Sequence, residues 1–598
     1  MTKLGALFSV LGVGAGCIPA FAQKQLPNII VMLSDDQGWG DLGFTGNTFV
    51  RTPNIDRIAH EGTILENFYV CPVSSPTRAE FLTGRYHVRS GVNSTTGGGE
   101  RFNLGEKTIA EYFREAGYAT SLFGKWHSGT QYPYHPNARG FEEFYGFCSG
   151  HWGNYWNPVL EHNGEIVSGE GFIIDDLTDK ALDYIRDHTE RPFFMFLSYN
   201  TPHSPMQVPD SWWNRVKDRT LSQRATFPEQ EDTTFTKAAL ALAENLDWNI
   251  GRVLSLLRSL DLEQETIVIY FSDNGPNSFR WNGGMKGRKG STDEGGVRSP
   301  FCIRWPGHIR KGAVEPQLSG GIDLLPTLLG LSGIEYPADK NLDGIDWSQR
   351  LLDEKAPALD RVLYSYWGCK TSVRIPGYLL DAEGHLYMTD IDRTQQNDIS
   401  DREPDILEGM RKHLNWFKDE LLTDFPLKDT RPFVVGHPRE LYSKLPARDA
   451  EISGSIERSN RYPNCSYFTS WRETDARITW NVEVEEAGLF EAIIYYTCDK
   501  RNIGSIFELS TDRAGENLTF TLEQVNDQPM LGADLDRVPR EESFVKGFSP
   551  CPVGTITLSE GATTLSLRAK TIRKEEAMNF WMLVLKRQKK CGELGYSR

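Results

Sequence analysis

The sequence predicts an α/β fold: a largely parallel sheet with helices on both faces, then a small antiparallel unit and an all-β C-terminal domain. Two patterns carry this reading. Between about Asn28 and Arg304, short β-rich runs alternate with helix-compatible stretches, and the clearest runs end in polar residues. Beyond about Lys428 the hydrophobic period becomes two, broken by Gly-containing turns. At 598 residues the chain is also too long for one ordinary core.

The elements follow in chain order. Residues 1–22 read as a signal peptide: Lys3 precedes an apolar run from Leu4 to Gly16, and Ala20-Phe21-Ala22 has the small-x-small pattern of a cleavage site. The mature chain then starts near Gln23 and is exported, to the periplasm or outside the cell. Lipoprotein anchoring through Cys17 is the lesser alternative, because Gly14 stands where a lipobox has leucine. No later stretch approaches the ~20 apolar residues of a membrane span.

Residues 23–355 form the main α/β domain, with "NIIVMLSDD", "ATSLFGKWH", "PFFMFLSYNTPH" and "TIVIYFSDN" as its clearest strands. Between the last two, Leu246, Ile250, Val253, Leu254 and Leu257 share one helix face, as a crossover helix requires. Residues 356–428 are expected to form a small antiparallel α+β subdomain, from strand candidates in "GYLLDAEGHLYMTD" and the helix "ILEGMRKHLNWFKDEL". Residues 429–598 read as a linker and a β-sandwich resembling carbohydrate-binding modules, with Trp471, Trp480 and Trp581 expected in its core.

The net charge of −16 argues against a nucleic-acid partner, since phosphate backbones demand clustered cations. Any anion handled here must meet a local basic pocket. The nine cysteines show no metal-type pairs, and several read as buried thiols.

Chemistry-bearing residues gather where strands end. Asp35-Asp36 and Asp273-Asn274 close two strands, and ligands of open α/β sheets bind beyond the carboxyl ends of strands. Hard oxygen donors of this kind suit Ca²⁺ or Mg²⁺, whereas zinc recruits His or Cys. One such pair alone is more often a turn cap; two pairs at strand ends favour a metal. Lys125 and His127 close "FGKWH", His203 closes "SYNTPH", and Lys289 lies just beyond Asn274. A lone cation in a loop is usually a solvated group, but several at successive strand ends of an acidic protein form a pocket for a tetrahedral anion.

The stretch "SSPTRAEFL" reads as a helix start, with Ser as N-cap and Pro in the first turn. A nucleophile at Ser74 or Ser75 there points into positive potential, yet an unmodified serine needs an adjacent base, and no Ser-His-Asp motif is evident.

With these residues assembled, the chain resembles the formylglycine-dependent sulfatases of the alkaline-phosphatase-like superfamily. Their signature is Cys or Ser, any residue, Pro, any residue, Arg, and a later Thr-Gly-Arg. Ser74, Pro76, Arg78, Leu82, Thr83, Gly84 and Arg85 match in register, while Cys71 fails because Val73 stands at the proline position. "DDQGWGDLG", "GKWH", "TPH", "SDNG" and "EGGVRSPFCIRWPG" follow the same family in order, and the resemblance spans about Pro27 to Leu421.

The resemblance implies an alkaline-phosphatase-like mixed sheet flanked by helices. It also implies that Ser74 is oxidised to formylglycine (3-oxoalanine) by a radical maturase. In the hydrated aldehyde one hydroxyl attacks sulfur, and the other later expels sulfate. Asp35, Asp36, Asp273, Asn274 and the modified Ser74 would hold Ca²⁺, with Mg²⁺ the second choice. Arg78 and Lys125 would polarise the formylglycine hydroxyls, His127 would assist collapse of the intermediate, and His203 and Lys289 would grip the sulfate, either one protonating the departing alcohol.

The implied substrate is a sulfated saccharide, with galactose or N-acetylgalactosamine sulfates the first guess. The loop "SGHWGNYWNP" offers His151, Trp152 and Asn154 as sugar contacts, although aromatics pack in loops equally often. Because the family pattern is complete by about Leu421, the C-terminal domain is expected to supply no residue to the sulfur chemistry. Two alternatives stand beside this reading: a phosphatase or phosphodiesterase of the same superfamily, disfavoured by the Asp/Asp/Asp/Asn set, and a non-catalytic glycan-binding surface protein, disfavoured because every expected site position is filled.

Overall fold

A computed structural model describes residues 26–336 and 341–588. The proposed signal peptide and Cys17 lie outside the described residues. The main sheet contains β1 (Asn28–Asp35), β2 (Thr63–Tyr69), β3 (Ala119–Lys125), β4 (Glu143–Phe147), β5 (Val159–His162), β6 (Glu165–Ser168), β7 (Phe193–Pro202), β8 (Thr266–Ser272), β9 (Phe301–Arg304) and β10 (Ala313–Gly320). Their order is β10-β2-β9-β8-β1-β7-β3-β4-β5-β6. The centre is parallel: β1 pairs with β7 and β8, and β3 with β7 and β4. β9, β5 and β6 run antiparallel to their neighbours, which makes the sheet mixed.

β1, β7 and β8 are buried along their whole length, which explains their continuous apolar runs. Alternation along β1 sorts its side chains between two cores. Ile30 and Met32 face α1 (Pro53–Glu61), α4 (Ile173–Asp187) and α6 (Thr233–Ser259), where Leu246, Ile250, Val253, Leu254 and Leu257 are buried as their spacing predicts. Ile29, Val31 and Leu33 face α2 (Ser74–Thr83) and α3 (Ile109–Glu115). Each such side chain contributes about 1.5–3 kcal/mol by leaving water. Two layers of helices around one sheet thus fix the strand ends on a common rim.

The next segment is an antiparallel sheet of Leu363–Trp367, Lys370–Ile375, Tyr378–Leu380 and Leu386–Met388, covered by the helix Pro404–Phe417. From Phe433 to Arg587, two six-stranded, mainly antiparallel sheets enclose Trp471, Trp480, Phe490, Leu565 and Phe580. Trp581 departs from expectation: it turns out of that core and stacks on Phe548 with centroids 5.5 Å apart.

This C-terminal lobe is locked to the α/β lobe by buried charge. Arg448 reaches Glu100 Oε1 at 3.2 Å and Thr130 Oγ1 at 2.7 Å, and Lys444 reaches Glu161 Oε1 at 3.0 Å. Arg101 donates to the carbonyls of Pro432 and Arg431 at 2.9 and 2.7 Å. Among the described residues no helix is long and apolar enough to cross a membrane, and no cysteine is disulfide-bonded.

Candidate active site

The register of the sheet builds the site. Ser34 lies opposite Ser272 in the β1–β8 pair, so Asp35-Asp36 and Asp273-Asn274 leave the rim side by side. Asp36 adopts a left-handed backbone, φ 63°, and so does His127, φ 61°, just beyond β3. Such strain costs about 1–3 kcal/mol and is concentrated at functional sites. Gly124 precedes Lys125 with φ 111°, and a Cβ there would sit 1.9 Å from the Ser198 carbonyl oxygen of β7. Only glycine permits that approach.

Helix α2 brings in Ser74. It starts at Ser74 after Val73 as N-cap, so the serine is the first helical residue and not the cap expected from sequence. Ser75 Oγ donates instead to the Ser94 carbonyl at 3.0 Å. Gly84, left-handed at φ 66°, closes the helix by donating to the Glu80 carbonyl at 2.8 Å. Ser74 is 3% exposed and lines the floor of a cleft of about 660 Å³. Cys71 is buried too, and burial together with Glu80 pushes its thiol well above its usual value.

Around Ser74 the expected residues converge. Its Oγ donates toward Asp35 Oδ1 at 3.2 Å and Asn274 Oδ1 at 3.3 Å, and Lys125 Nζ donates to it at 3.2 Å. Lys125 also pairs with Asp35 Oδ2 at 2.7 Å, Lys289 with Asp36 Oδ1 at 2.7 Å, and Arg78 Nη2 with Asp273 Oδ2 at 3.0 Å. Arg78 therefore touches the carboxylate cluster and the Lys125 carbonyl rather than Ser74. Ser198, absent from the sequence reading, accepts from Arg78 Nη1 at 2.5 Å and holds it in place.

Burial pushes the Asp35 and Asp36 carboxyls up, but Lys125 beside Asp35 and Lys289 beside Asp36, with His203, hold both below the usual range. Burial drives His127 well below its usual value, with Lys125 adding to the effect.

The histidines stand around the same floor. His127 Nε2 lies 2.9 Å from the Thr95 carbonyl and Nδ1 has no partner. His203 Nδ1 lies 2.7 Å from the Ser204 carbonyl, and Nε2 lies 3.5 Å from Asp36 Oδ2. Of the three sugar contacts expected in the 149–158 loop, only His151 lines the cleft. Trp152 stacks on Phe147, 4.9 Å between centroids, on the side facing a cavity between the lobes. Asn154 donates to the Trp156 carbonyl at 2.6 Å, bracing its own loop.

The opposite wall comes from the other lobe. Tyr462, Asn464, Val538, Pro539, Arg540, Glu541 and Glu542, all from the C-terminal lobe, line the cleft. Asn464 Oδ1 accepts from Ser149 Oγ at 3.0 Å, Cys465 Sγ donates to the His151 carbonyl at 2.7 Å, and Arg540 Nη1 to the Gly153 carbonyl at 2.5 Å. The lobe therefore holds the His151 loop as well as facing the substrate space.

Comparison with known proteins places this arrangement. The sulfatase family model matches residues 27–334, which contain the whole cluster around Ser74. The chain belongs to the sulfatase family. It is a sulfuric ester hydrolase, and the model of the C-terminal region of N-sulphoglucosamine sulphohydrolase matches residues 289–406. N-acetylgalactosamine-6-sulfatase from Mus musculus is 32% identical to this sulfatase over 402 residues, covering 61% of this chain and 72% of the relative. The uncharacterized sulfatase YdeN of Escherichia coli (strain K12) is 30% identical over 407 residues, covering 58% and 70%. The structure of Ps i-CgsB in complex with k-i-k-neocarrahexaose is similar with a TM-score of 0.60 and 29% identity, covering 68% of this chain and 96% of that one.

Proposed function

We propose that this sulfatase is an exported enzyme that hydrolyses sulfate esters of carbohydrates, with Ser74 oxidised to formylglycine and Ca²⁺ at the Asp35, Asp36, Asp273 and Asn274 cluster. The observation that carries the reading is the position of Ser74 Oγ, within 3.3 Å of Asp35, Asn274 and Lys125 at the floor of an open cleft. The name of one relative, N-acetylgalactosamine-6-sulfatase, supports a galactose-type or N-acetylgalactosamine sulfate, and a similar structure solved with an oligosaccharide, k-i-k-neocarrahexaose, supports a saccharide substrate. Export rests on the leader-like residues 1–22, and a serine-directed radical maturase is the partner implied.

The donor set fits the metal. Three carboxylates and an amide oxygen, all buried, are hard donors suited to Ca²⁺; Mg²⁺ ranks second because it demands tighter octahedral geometry and sheds water reluctantly. The three carboxylates are matched by Arg78, Lys125 and Lys289, so a divalent ion leaves the floor positive toward an incoming sulfate. When bound, the ion supplies a Lewis acid for a sulfate oxygen.

This chain's own residues do the rest. The free N–H groups that open α2 and the Lys125 ammonium favour an anionic oxygen at position 74. Lys289, at the cleft, and His203 take the sulfate oxygens, and either can pass a proton to the leaving alcohol. His127, fixed by Thr95, keeps Nδ1 as an acceptor for the proton released when the covalent intermediate collapses.

The test is sulfate release from monosulfated galactose and N-acetylgalactosamine by full-length protein coexpressed with a radical maturase and loaded with Ca²⁺. Release is expected, and it should vanish in Ser74→Ala. Preferred turnover of a phosphate ester by the modified enzyme would overturn the proposal.

A further inference from the structure

His151 lines the cleft at 4% exposure, and neither of its ring nitrogens has a hydrogen-bond partner. A buried polar group left unpaired costs about 1–3 kcal/mol, so this ring is placed for something that enters the cleft. Its ring centroid lies 5.3 Å from that of His203, which in turn faces Asp36. His151 is thus one imidazole removed from the sulfate-holding floor, where a sugar carbon next to the ester would sit.

The third member comes from the other lobe. Ring nitrogens of His151 and His203 and a carboxylate oxygen of Glu542 lie within 4.8 Å of one another, and Ser204 Oγ donates to Glu542 Oε1. Two imidazoles and a carboxylate would suit a metal, but His203 sets Nδ1 on the Ser204 carbonyl and turns Nε2 to Asp36 and the sulfate-holding floor. The unpartnered ring is His151, and Glu542, with Oε1 on Ser204, has its other oxygen left to accept.

Charge defines what this pair accepts. Arg540, on the same wall, is held by both carboxylate oxygens of Asp536 at 2.6 Å, and Arg461 faces Glu541 at 3.1 Å. Lys289 pairs with Asp36. The C-terminal lobe's cations beside Glu542 are therefore already matched, while Arg288, which also lines the cleft, is engaged by the Asn277 carbonyl and the Phe279 ring. A hydroxyl can donate to the Glu542 carboxylate while His151 donates to or accepts from the same sugar. A sulfate in that position has no proton to give and sets an anion against an anion.

Resting on the carbohydrate-sulfatase reading above, we propose that His151 and Glu542 form a sugar subsite that reads a free hydroxyl beside the scissile ester and rejects a second sulfate there. The C-terminal lobe thereby determines specificity through Glu542. A site built to bind a hydroxyl discriminates far more strongly than an apolar pocket, and a repulsive group adds to this.

The experiment measures kcat/KM of Ca²⁺-loaded, formylglycine-bearing full-length protein. The probes are N-acetylgalactosamine 4-sulfate, the 6-sulfate, the 4,6-disulfate, the matching galactose sulfates and 4-nitrophenyl sulfate. Wild type should prefer its best monosulfate over the corresponding disulfate by about 100-fold or more. Glu542→Gln keeps the shape and removes the charge, and it should reduce that ratio to about 10 or less; Glu542→Lys should reduce it further. Both variants keeping the wild-type ratio would overturn the proposal, as would wild-type turnover of 4-nitrophenyl sulfate with none of the hexose monosulfates. Absence of turnover of every sulfate ester by wild type would instead strike the functional reading itself.

Discussion

Lys125 Nζ lies 2.7 Å from Asp35 Oδ2, and both groups are buried where β3 and β1 leave the sheet. Two strands that are not neighbours, separated by β7, are joined at the rim by this ion pair. Removing one partner leaves the other buried and uncompensated, which typically costs about 3–5 kcal/mol. Lys125→Ala should therefore lower stability as well as kcat, the latter by about 100- to 1000-fold if Lys125 stabilises charge at position 74. Thermal unfolding and kcat measured on the same preparation check this; a fully active Lys125→Ala enzyme would remove the role proposed for the ammonium.

The chemical state of Ser74 is directly readable. In active protein the tryptic peptide Ile58–Arg78 should be about 2 Da lighter than its unmodified form, as conversion of an alcohol to an aldehyde requires. Mass spectrometry with aldehyde-specific labelling measures it. Full activity in protein whose Ser74 is entirely unmodified would exclude the mechanism.

Chelation should abolish turnover, and Ca²⁺ should restore it better than Mg²⁺ and far better than Zn²⁺. Because an ion binding only the folded state stabilises it by mass action, Ca²⁺ at 100 times its Kd should also add about 2.7 kcal/mol to stability. The thermal shift reads binding without reference to activity, so a chelator-insensitive Tm would count against the assigned ligands even if catalysis were lost.

Truncation near Lys428 is predicted from the structure to be damaging. Removing the lobe unpairs Glu100, leaves Glu161 with His135 alone, and frees the loop that carries His151. A milder probe is Arg448→Ala, which should cost about 3–5 kcal/mol by stranding buried Glu100. It should also reduce activity on saccharide sulfates, since Arg448 Nη1 holds Ser149 Oγ at 3.2 Å.

Glu440 gives a pH-dependent prediction. Burial pushes its carboxyl up to about 8, against the pull of Lys444. Between the ordinary carboxylate range and pH 8 the folded state holds a proton that the unfolded chain has lost, so stability falls as pH rises through that window. Glu440→Gln removes the ionisable group while keeping the shape. Its Tm should match wild type within about 1 °C at pH 5 and exceed it by about 2 °C or more at pH 8.5. Equal Tm values at both pH values would contradict the shift.

The sequence carried the floor of the cleft well because strand ends and their polar residues are local features. Asp35-Asp36, Lys125, His203 and Asp273-Asn274 each close an apolar run, and the parallel sheet brings such ends together. The walls were less legible. Trp152 and Asn154 look like sugar contacts by residue type, but a ring finds Phe147 and an amide finds the Trp156 carbonyl within the folded loop. Glu542 had no local signal at all. Its place depends on how a sandwich built from residues beyond Phe433 docks on a loop near residue 150, a long-range packing that no period or motif reports.

That docking also sets a clock. The residue proposed for oxidation stands near the front of the chain, and 3% exposure at the bottom of a two-walled cleft leaves little room for another enzyme. One wall and the strand Asn579–Arg587 that buttresses it are among the last parts synthesised. At about 5–20 residues per second, the interval between the appearance of Ser74 and completion of the 598-residue chain is roughly 25–100 s. If Ser74 is oxidised as proposed, a maturase acting before the sandwich docks would meet position 74 from the side that this lobe walls off, so the timing of docking would bound how much of it is converted.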